Sequence, residues 1–283
     1  MILDKIAKST LERVKKAKEN LPLEQIKAMI FSEKGRKEFN NREPFAFEKA
    51  LKRVNSSIDG LIDIDAHTGD KSGRIAFICE VKKASPSKGI IAEDFPYLQI
   101  AKDYEAAGAN AISVLTEPEF FKGDNSYLSE ISKAVHIPVL RKDFTIDEYQ
   151  IYEAKIIRAD AVLLICSLLN TDRISSYIKI CDELGLSALV EAHTVEEIYS
   201  AIQAGARIIG VNNRNLQTFE VNLNNSVFLR GLVPKEILFV AESGIKTQQD
   251  MKVLKDAGVN AVLIGETLMR SPDKKEQLQK LKV

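Results

Sequence analysis

Several features that mark common functional classes are missing from this sequence of 283 residues. Lys plus Arg and Asp plus Glu both number 40, so no global excess of positive charge favours nucleic acid as a partner. The three cysteines form no C-x-x-C or Cys/His pair, which argues against a zinc site and favours reduced core residues. Uncharged runs such as 161–171 are too short to span a bilayer, and the amphipathic amino end has no apolar signal core. We therefore expect a cytoplasmic protein with neither nucleic-acid nor membrane partners.

What is present is a regular alternation of short apolar runs with amphipathic segments, beginning at Ile75. The apolar runs predict eight strands, at 75–82, 111–115, 139–141, 161–165, 188–191, 208–211, 238–241 and 262–264. The amphipathic segments predict helices between them, for example at 96–107, 146–157, 174–184, 195–204 and 248–257.

A weak internal repeat supports this count of strands. Short motifs of small residues precede every second strand, roughly fifty residues apart, at 107–109, 158–160, 204–206 and 257–259. Three of these motifs contain a glycine that suits a helix C-terminus. Strands that alternate with helices pair in parallel, and eight such units predict a (β/α)8 TIM barrel. An open doubly wound sheet is the alternative, but no G-x-G-x-x-G follows the first strand.

Charged side chains follow the strands at the end where barrel enzymes keep their active sites. Glu80 and Lys82 stand one residue apart at the end of the first strand, so an extended backbone places both on one face. Lys142, Glu191 and Asn212 end later strands, and the set suits acid/base chemistry. A structural ion pair remains the other interpretation of Glu80 and Lys82. Asp143 and Glu242 fall on the alternate positions, and we expect them to point outward toward helices.

Glycine-containing turns follow the last two strands. Ser243-Gly244 and Gly265-Glu266 occupy the corner where barrels of this kind bind phosphate through loop N-H groups. The pattern predicts a phosphorylated small-molecule substrate, although these glycines could serve only tight turns.

Taken together, the motifs at the strand ends resemble those of the indole-3-glycerol phosphate synthase family. They cover the whole barrel in order: Glu-x-Lys-x-x-Ser-Pro-Ser at 80–87, Leu-Thr-Glu at 115–117, Arg-Lys-Asp-Phe at 141–144, Leu-Val-Glu at 189–191, Gly-Val-Asn-Asn-Arg-Asn-Leu at 210–216, Ala-Glu-Ser-Gly-Ile at 241–245 and Leu-Ile-Gly-Glu-Thr-Leu-Met at 263–269.

The resemblance implies a carboxy-lyase of tryptophan biosynthesis that needs no cofactor and no metal. Its reaction converts 1-(2-carboxyphenylamino)-1-deoxyribulose 5-phosphate to indole-3-glycerol phosphate, with loss of carbon dioxide and water. Lys142 would be the general acid for ring closure, and Lys82 a candidate acid for dehydration. Glu191 and Glu80 would accept protons, in an order that the motifs leave open, while Asn212 would orient the substrate.

The resemblance also implies which residues bind the two ends of the substrate. The apolar pocket for the aryl ring would comprise Pro86, Phe121, Phe144, Leu163 and Leu216, with Arg214 supporting the face of Asn212. The phosphate site would comprise Ser85, Ser243, Gly244, Gly265 and Glu266. Many members of the family carry Ser at the position of Glu266. We expect the backbone N-H of Glu266 to bind phosphate and its side chain to turn away, because a carboxylate repels phosphate.

The resemblance further implies that the amino-terminal helices cover the barrel mouth. We expect residues 1–70 to form this extension and its connection, residues 71–283 to form the barrel, and the whole to be one structural domain and a monomer. Two other functions stay open. One is the phosphate-binding isomerase one step earlier in the pathway, which would lack the set of two lysines and two glutamates. The other is a barrel that binds a phosphorylated metabolite without catalysis.

Overall fold

Eight parallel strands close into a barrel in the computed structural model, which describes residues 2–40, 42–53, 74–215 and 218–283. Around the barrel the strand order is β1-β10-β9-β8-β7-β6-β5-β4, and a small antiparallel hairpin, β2-β3, follows β1. The strands are β1 Ala76–Val81, β2 Ala84–Ser85, β3 Gly89–Ile90, β4 Ala111–Leu115, β5 Val139–Lys142, β6 Ala161–Ile165, β7 Ser187–Ala192, β8 Ile208–Asn212, β9 Leu238–Glu242 and β10 Ala261–Ile264. The predicted (β/α)8 barrel and its eight strands are therefore confirmed.

Thirteen helices lie in the described ranges, and most of them pack around the barrel. They are α1 Ile2–Asn20, α2 Leu23–Phe31, α3 Glu33–Phe39, α4 Ala46–Arg53, α5 Tyr97–Ala106, α6 Asn125–Ala134, α7 Tyr149–Ile156, α8 Thr171–Glu183, α9 Val195–Gln203, α10 Asn224–Arg230, α11 Gln248–Asp256, α12 Glu266–Met269 and α13 Lys274–Leu281. No helix among the described residues is long and apolar enough to cross a membrane.

Local capping explains where two predicted helices differ from the observed ones. The helix predicted from 174 begins at Thr171, because the Asn170 side chain accepts a hydrogen bond from the Arg173 N-H. The helix predicted from 146 begins at Tyr149, because the Asp147 carboxylate accepts from the Tyr149 N-H and turns the chain first. The other three predicted helices agree with the structure to within one residue at each end.

The repeated motifs before alternate strands are helix C-termini, as expected. Gly108, Gly205 and Gly258 have φ of 89°, 88° and 79°, the left-handed conformation that ends a helix without a Cβ clash. Arg158 has φ of 70° at the corresponding place in the fourth motif. Four helices therefore turn into the following strand in the same way.

Alternation along each strand divides the core into two layers. Residues such as Ile78, Leu140, Leu163 and Val240 pack together inside the barrel. Their neighbours in sequence face the surrounding helices and belong to a larger outer cluster. This register decides which side chain at each carboxyl end points into the mouth.

The amino-terminal helices occupy both ends of the barrel. Ile2 and Ile6 of α1 line the cavity at the carboxyl ends of the strands. Phe47 and Leu51 of α4 are fully buried against the first residues of several strands, which closes the opposite end. The last part of the extension expected at 1–70, from residue 54 onward, lies outside the described residues.

Candidate active site

A cavity of about 840 Å³ opens at the carboxyl ends of the barrel strands. Every site residue that the sequence predicted within the described ranges lines it: Glu80, Lys82, Ser85, Pro86, Phe121, Lys142, Phe144, Leu163, Glu191, Asn212, Arg214, Ser243, Gly244, Gly265 and Glu266. Leu216 lies outside the described residues. Side chains from all parts of the chain thus converge where this fold places its chemistry.

Lys142 is the centre of the charged cluster on the cavity floor. Its ammonium Nζ lies 2.9 Å from Glu191 Oε2 and 3.4 Å from Glu242 Oε2, and the side chain is only 14% exposed. Burial lowers the pKa of Lys142, but Glu191 and Glu242 outweigh burial and hold the pKa above its ordinary value. Lys142 therefore carries its proton at neutral pH and can donate a charged hydrogen bond.

Glu191 and Glu242 share this lysine but differ in protonation. Burial raises the pKa of Glu191, yet Lys142 and His193 outweigh burial, so the pKa falls below its ordinary value. Burial raises the pKa of Glu242 to about 7, with added repulsion from Glu191 and Glu80, and Lys142 opposes that rise. Similar groups with separated pKa values can hold different protonation states at one pH.

The expectation that Glu242 points outward is wrong. Leu238 and Val240 of β9 belong to the inner core, so period-two alternation turns Glu242 into the barrel mouth as well. A Cβ on Gly210 of the neighbouring strand would lie 2.3 Å from Glu242 Oε1, so glycine makes room for the carboxylate. Counting inward positions from Leu238 along β9 would have found this residue.

Asp143 pairs with a helix, as the alternation predicted, and it also lines the cavity. It binds Arg13 of α1 through two hydrogen bonds of 2.7 and 2.9 Å, and it accepts another from the Thr116 hydroxyl. Burial raises the pKa of Asp143, but Arg141 and Arg13 outweigh burial and lower it to about 2. Asp143 is therefore an anchor for α1 at the edge of the mouth.

Glu80 and Lys82 share one face, as predicted, and form a hydrogen-bonded ion pair. Gly265 of the last barrel turn stands against this pair, where a Cβ would lie 2.3 Å from Glu80 Oε1. The pair is largely buried yet lines the cavity, so both side chains can reach a bound molecule.

Phe121 and Phe144 form an aromatic wall on one side of the cavity. Their ring centroids lie 5.9 Å apart. The buried Glu117 carboxylate accepts hydrogen bonds from the backbone N-H groups of Phe120 and Phe121, at 2.7 and 3.0 Å, which fixes the loop that presents Phe121. Leu163 belongs to the inner barrel core and also reaches the cavity.

Backbone turns and basic side chains form another corner of the cavity, here called the basic corner. It comprises Lys88, Arg214, Ser243, Gly244, Gly265, Glu266 and Arg270. Ser243 and Gly244 both have left-handed backbones, with φ of 66° and 84°. A Cβ on Gly244 would lie 2.4 Å from Val221 Cγ1, so this close approach requires glycine. Successive residues in such turns can direct N-H groups toward an anion.

Glu266 does not turn away from this corner. Its carboxylate lies 3.1 Å from Arg270 Nε, 3.8 Å from Lys88 Nζ and 3.9 Å from an Arg214 guanidinium nitrogen. Three cations therefore surround one carboxylate at the edge of the cavity, an arrangement that the sequence did not predict.

Comparisons with known proteins agree with the motif resemblance. A model of the family described as indole-3-glycerol phosphate synthase matches residues 3–281. A protein of that name from Ruminiclostridium cellulolyticum is 59% identical over 282 residues, which are 100% of this chain and 99% of the relative. Another from Lachnoclostridium phytofermentans is 51% identical over 287 residues, with 100% and 99% covered.

Solved structures confirm the barrel. The 3-hexulose-6-phosphate synthase from Salmonella typhimurium aligns with a TM-score of 0.61 at 15% identity, over 73% of this chain and 96% of that one. A thiamine phosphate pyrophosphorylase from Pyrococcus furiosus aligns with a TM-score of 0.54 at 17% identity, over 73% and 93%. These similarities show the fold alone. The sequence relatives show more: the chain belongs to the indole-3-glycerol phosphate synthase family.

Proposed function

We propose that Lys142 is the general acid of the family's reaction, the conversion of 1-(2-carboxyphenylamino)-1-deoxyribulose 5-phosphate to indole-3-glycerol phosphate. The observation that carries this proposal is the ammonium held between Glu191 and Glu242 on the cavity floor. Ring closure turns a ketone oxygen into a hydroxyl, so the oxygen needs a proton donor as the carbon-carbon bond forms. Lys142 is charged, largely shielded from water and directed toward the cavity.

In this proposal the two ends of the substrate lie on opposite sides of Lys142. Phe144 follows β5 and Ser243 follows β9, two strands that lie opposite each other in the closed barrel. Phe121 follows β4, next to β5, and Gly265 follows β10, next to β9. An aryl ring against the aromatic wall and a phosphate at the basic corner hold the reacting atoms between them. Fixing both ends lowers the entropic cost of ring closure.

Decarboxylation follows from the closed ring. Attack by the carbon that bears the carboxylate leaves an electron-poor iminium, and loss of carbon dioxide returns the bonding electrons to the ring. This step needs no further proton donor, so the charged residues serve the steps on either side of it.

Dehydration needs an acid for the departing hydroxyl and a base for the proton on the adjacent carbon. We assign the acid to Lys82 and proton acceptance to Glu191 and Glu80. Glu191 lies on β7 and Glu80 on β1, which face each other across the barrel. Glu242, with its pKa raised to about 7, can take up or release a proton near neutrality and adds a third carboxylate to the set.

Asn212 supports the same cluster. Its side chain hydrogen-bonds Glu191, and its Oδ1 accepts from the Arg214 N-H at 3.0 Å. Asn212 therefore links the carboxylate to the loop that carries Arg214 toward the basic corner, and we assign it the orientation of a substrate hydroxyl.

The roles of Lys142 and Lys82 can be separated by the chemical species that accumulates with each variant. Lys142→Met should give no conversion, because ring closure is the first chemical step. Lys82→Met should instead accumulate a closed, decarboxylated species heavier than the product by one water, which mass spectrometry of quenched reactions detects. If Lys82→Met turns over at the wild-type rate, Glu80 and Lys82 are a structural ion pair.

The oligomeric state and the cellular compartment complete the proposal. We propose that the enzyme acts as a monomer in the cytoplasm, where a reducing environment suits its free cysteines Cys79, Cys166 and Cys181. Size-exclusion chromatography with light scattering tests the monomer.

A further inference from the structure

His193 contacts Glu191 on the side away from Lys142. Lys142 binds Glu191 Oε2, whereas His193 Nε2 faces Glu191 Oε1 at 3.4 Å. Nε2 is buried and has no hydrogen-bond partner among the described residues, so the Glu191 carboxylate is the polar group it faces. No role proposed above uses this histidine.

The other ring nitrogen of His193 is held by Glu197. Glu197 Oε2 lies 3.1 Å from Nδ1 and accepts a second hydrogen bond, of 2.6 Å, from the His193 N-H. The Ser167 hydroxyl donates to Glu197 Oε1 at 2.6 Å. Thr194 caps α9 by accepting from the Glu197 N-H, which fixes Glu197 in the first turn of the helix.

This arrangement determines the protonation of the ring. Burial raises the pKa of Glu197, but the hydrogen bonds from His193 and Ser167 outweigh burial and lower it, so Glu197 is an anion. An anion at Nδ1 requires a proton there, since a lone pair would be repelled. Nε2 then faces the second anion, Glu191, and a proton on Nε2 turns that contact into an attraction.

The charged groups with the largest effect on the ring are carboxylates. Glu197 faces it from α9, Glu191 from β7 and Glu242 from β9, while Asn225 of α10 donates only to the His193 carbonyl. Burial lowers the pKa of His193, but Glu197 and Glu191 outweigh burial and raise it above its ordinary value. The imidazolium therefore lies between two carboxylates.

We propose that His193 is a positioning residue for the reaction: held by Glu197, it orients the Glu191 carboxylate and keeps Glu191 deprotonated. The inference rests on the proton-accepting role proposed for Glu191. When Lys142 gives its proton to the substrate, Glu191 loses its nearest positive charge while the Glu242 carboxylate remains close. The His193 imidazolium is then the positive charge that remains beside the Glu191 carboxylate.

Three variants test this role through the pH dependence of kcat. His193→Asn removes the positive charge, and Glu197→Gln removes the anion that holds it while leaving the ring in place. Losing a neighbouring cation raises the pKa of a carboxylate, so the acid limb of kcat against pH should move up by about one unit. Loss of the contact that orients Glu191 should also lower kcat near pH 7 roughly ten-fold, while KM changes less than about two-fold. Glu196→Gln is the matched control, because Glu196 is an exposed carboxylate in the same helical turn.

A second readout needs no substrate. In ¹⁵N-labelled protein the His193 ring signals, assigned with His193→Asn, should show both nitrogens protonated at neutral pH, and Glu197→Gln should lower that fraction. A neutral ring in the wild-type protein overturns the inference.

Glu191→Gln separates the failure of this inference from the failure of its premise. An unmoved acid limb in His193→Asn and Glu197→Gln, with Glu191→Gln inactive, overturns the role of His193 and leaves that of Glu191. Near wild-type turnover by Glu191→Gln removes the premise, and the inference with it.

Discussion

Burial gives Glu242 a different stability effect from that of an exposed carboxylate. Its pKa is raised from 4.5 to about 7, so the folded protein binds this proton more tightly than the unfolded chain does. The folded state therefore loses stability as pH rises between these two values and loses no more above about 7. A shift of this size corresponds to about 3 kcal/mol.

We predict that Glu242→Gln removes this dependence. The free energy of unfolding of the variant relative to wild type should rise between about pH 4 and pH 8, because glutamine has no proton to lose. Urea unfolding at several pH values measures the difference, with the exposed Glu236→Gln as control. A relative stability that stays constant with pH would show that Glu242 ionises in the folded protein as it does in the unfolded chain.

Glu266 places a carboxylate of the protein among the cations of the basic corner. Its carboxylate contacts Lys88, Arg214 and Arg270, which a bound phosphate would also attract. We predict that Glu266→Ser lowers KM roughly three- to ten-fold with little change in kcat, because an anion that competes with phosphate is removed. The readouts are steady-state kinetics and inhibition by inorganic phosphate. A higher KM would mean that Glu266 instead orients the basic side chains for the substrate.

The site could be predicted from the sequence only as far as strand register could be counted. Lys142 and Glu191 each end an apolar run, two residues after the inward Leu140 and Leu189. The expectation for Glu242 is wrong because the alternation of β9 runs from the inward Leu238. The ion pairs of Glu266 and the contact of His193 with Glu191 join residues far apart in sequence, and no local pattern reports such contacts.

At the scale of elements, α1 is tied to the barrel mouth by polar contacts. Arg13 binds Asp143, Lys18 binds Asp147 at 2.7 Å, and the Ser9 hydroxyl donates to Glu119. These contacts hold Ile2 and Ile6 over the cavity. Helix α1 is therefore part of the site although it carries none of the acid/base residues.

We predict that Arg13→Met raises KM roughly ten-fold and leaves kcat within about two-fold. The variant loses a bidentate, charge-assisted ion pair that holds α1 at the barrel mouth. A loss of about 1.4 kcal/mol in the free energy of substrate binding corresponds to a ten-fold change in affinity. Lys16→Met is the control, since Lys16 is an exposed cation on the same helix. An unchanged KM in a folded variant would show that α1 does not help to retain the substrate.

Helix and strand positions were predicted well because periodicity is a local signal. The N-terminal segments were harder, since their faces are set by the barrel ends they cover. Helix α3 begins at Glu33, directly after Ser32, whose side chain accepts from the Gly35 N-H. This short polar helix has little apolar periodicity to reveal it. The closure of the far end by α4 depends on contacts with strands that follow much later in the chain.

At the scale of the whole molecule, we propose that the extension at 1–70 and the barrel at 71–283 form one structural domain. Phe47 and Leu51 of α4 belong to the same inner cluster as the barrel strands. The Glu48 N-H donates to the Ser187 hydroxyl of β7, and the Glu48 carboxylate binds Arg207 at 2.9 Å. Removing the extension would expose the inner core at one end and open the cavity at the other.

Ring closure with Lys142 as the proton donor is the step on which the proposed mechanism depends. The most direct test gives purified protein the carboxyphenylamino deoxyribulose phosphate without any added cofactor and follows the fluorescence of indole-3-glycerol phosphate. The wild-type protein should form product. Lys142→Ala should form no product. It should still bind the substrate with an affinity within roughly ten-fold of wild type, because the substitution leaves the aromatic wall and the basic corner unchanged. Turnover by folded Lys142→Ala near the wild-type rate would show that Lys142 is not the general acid for ring closure.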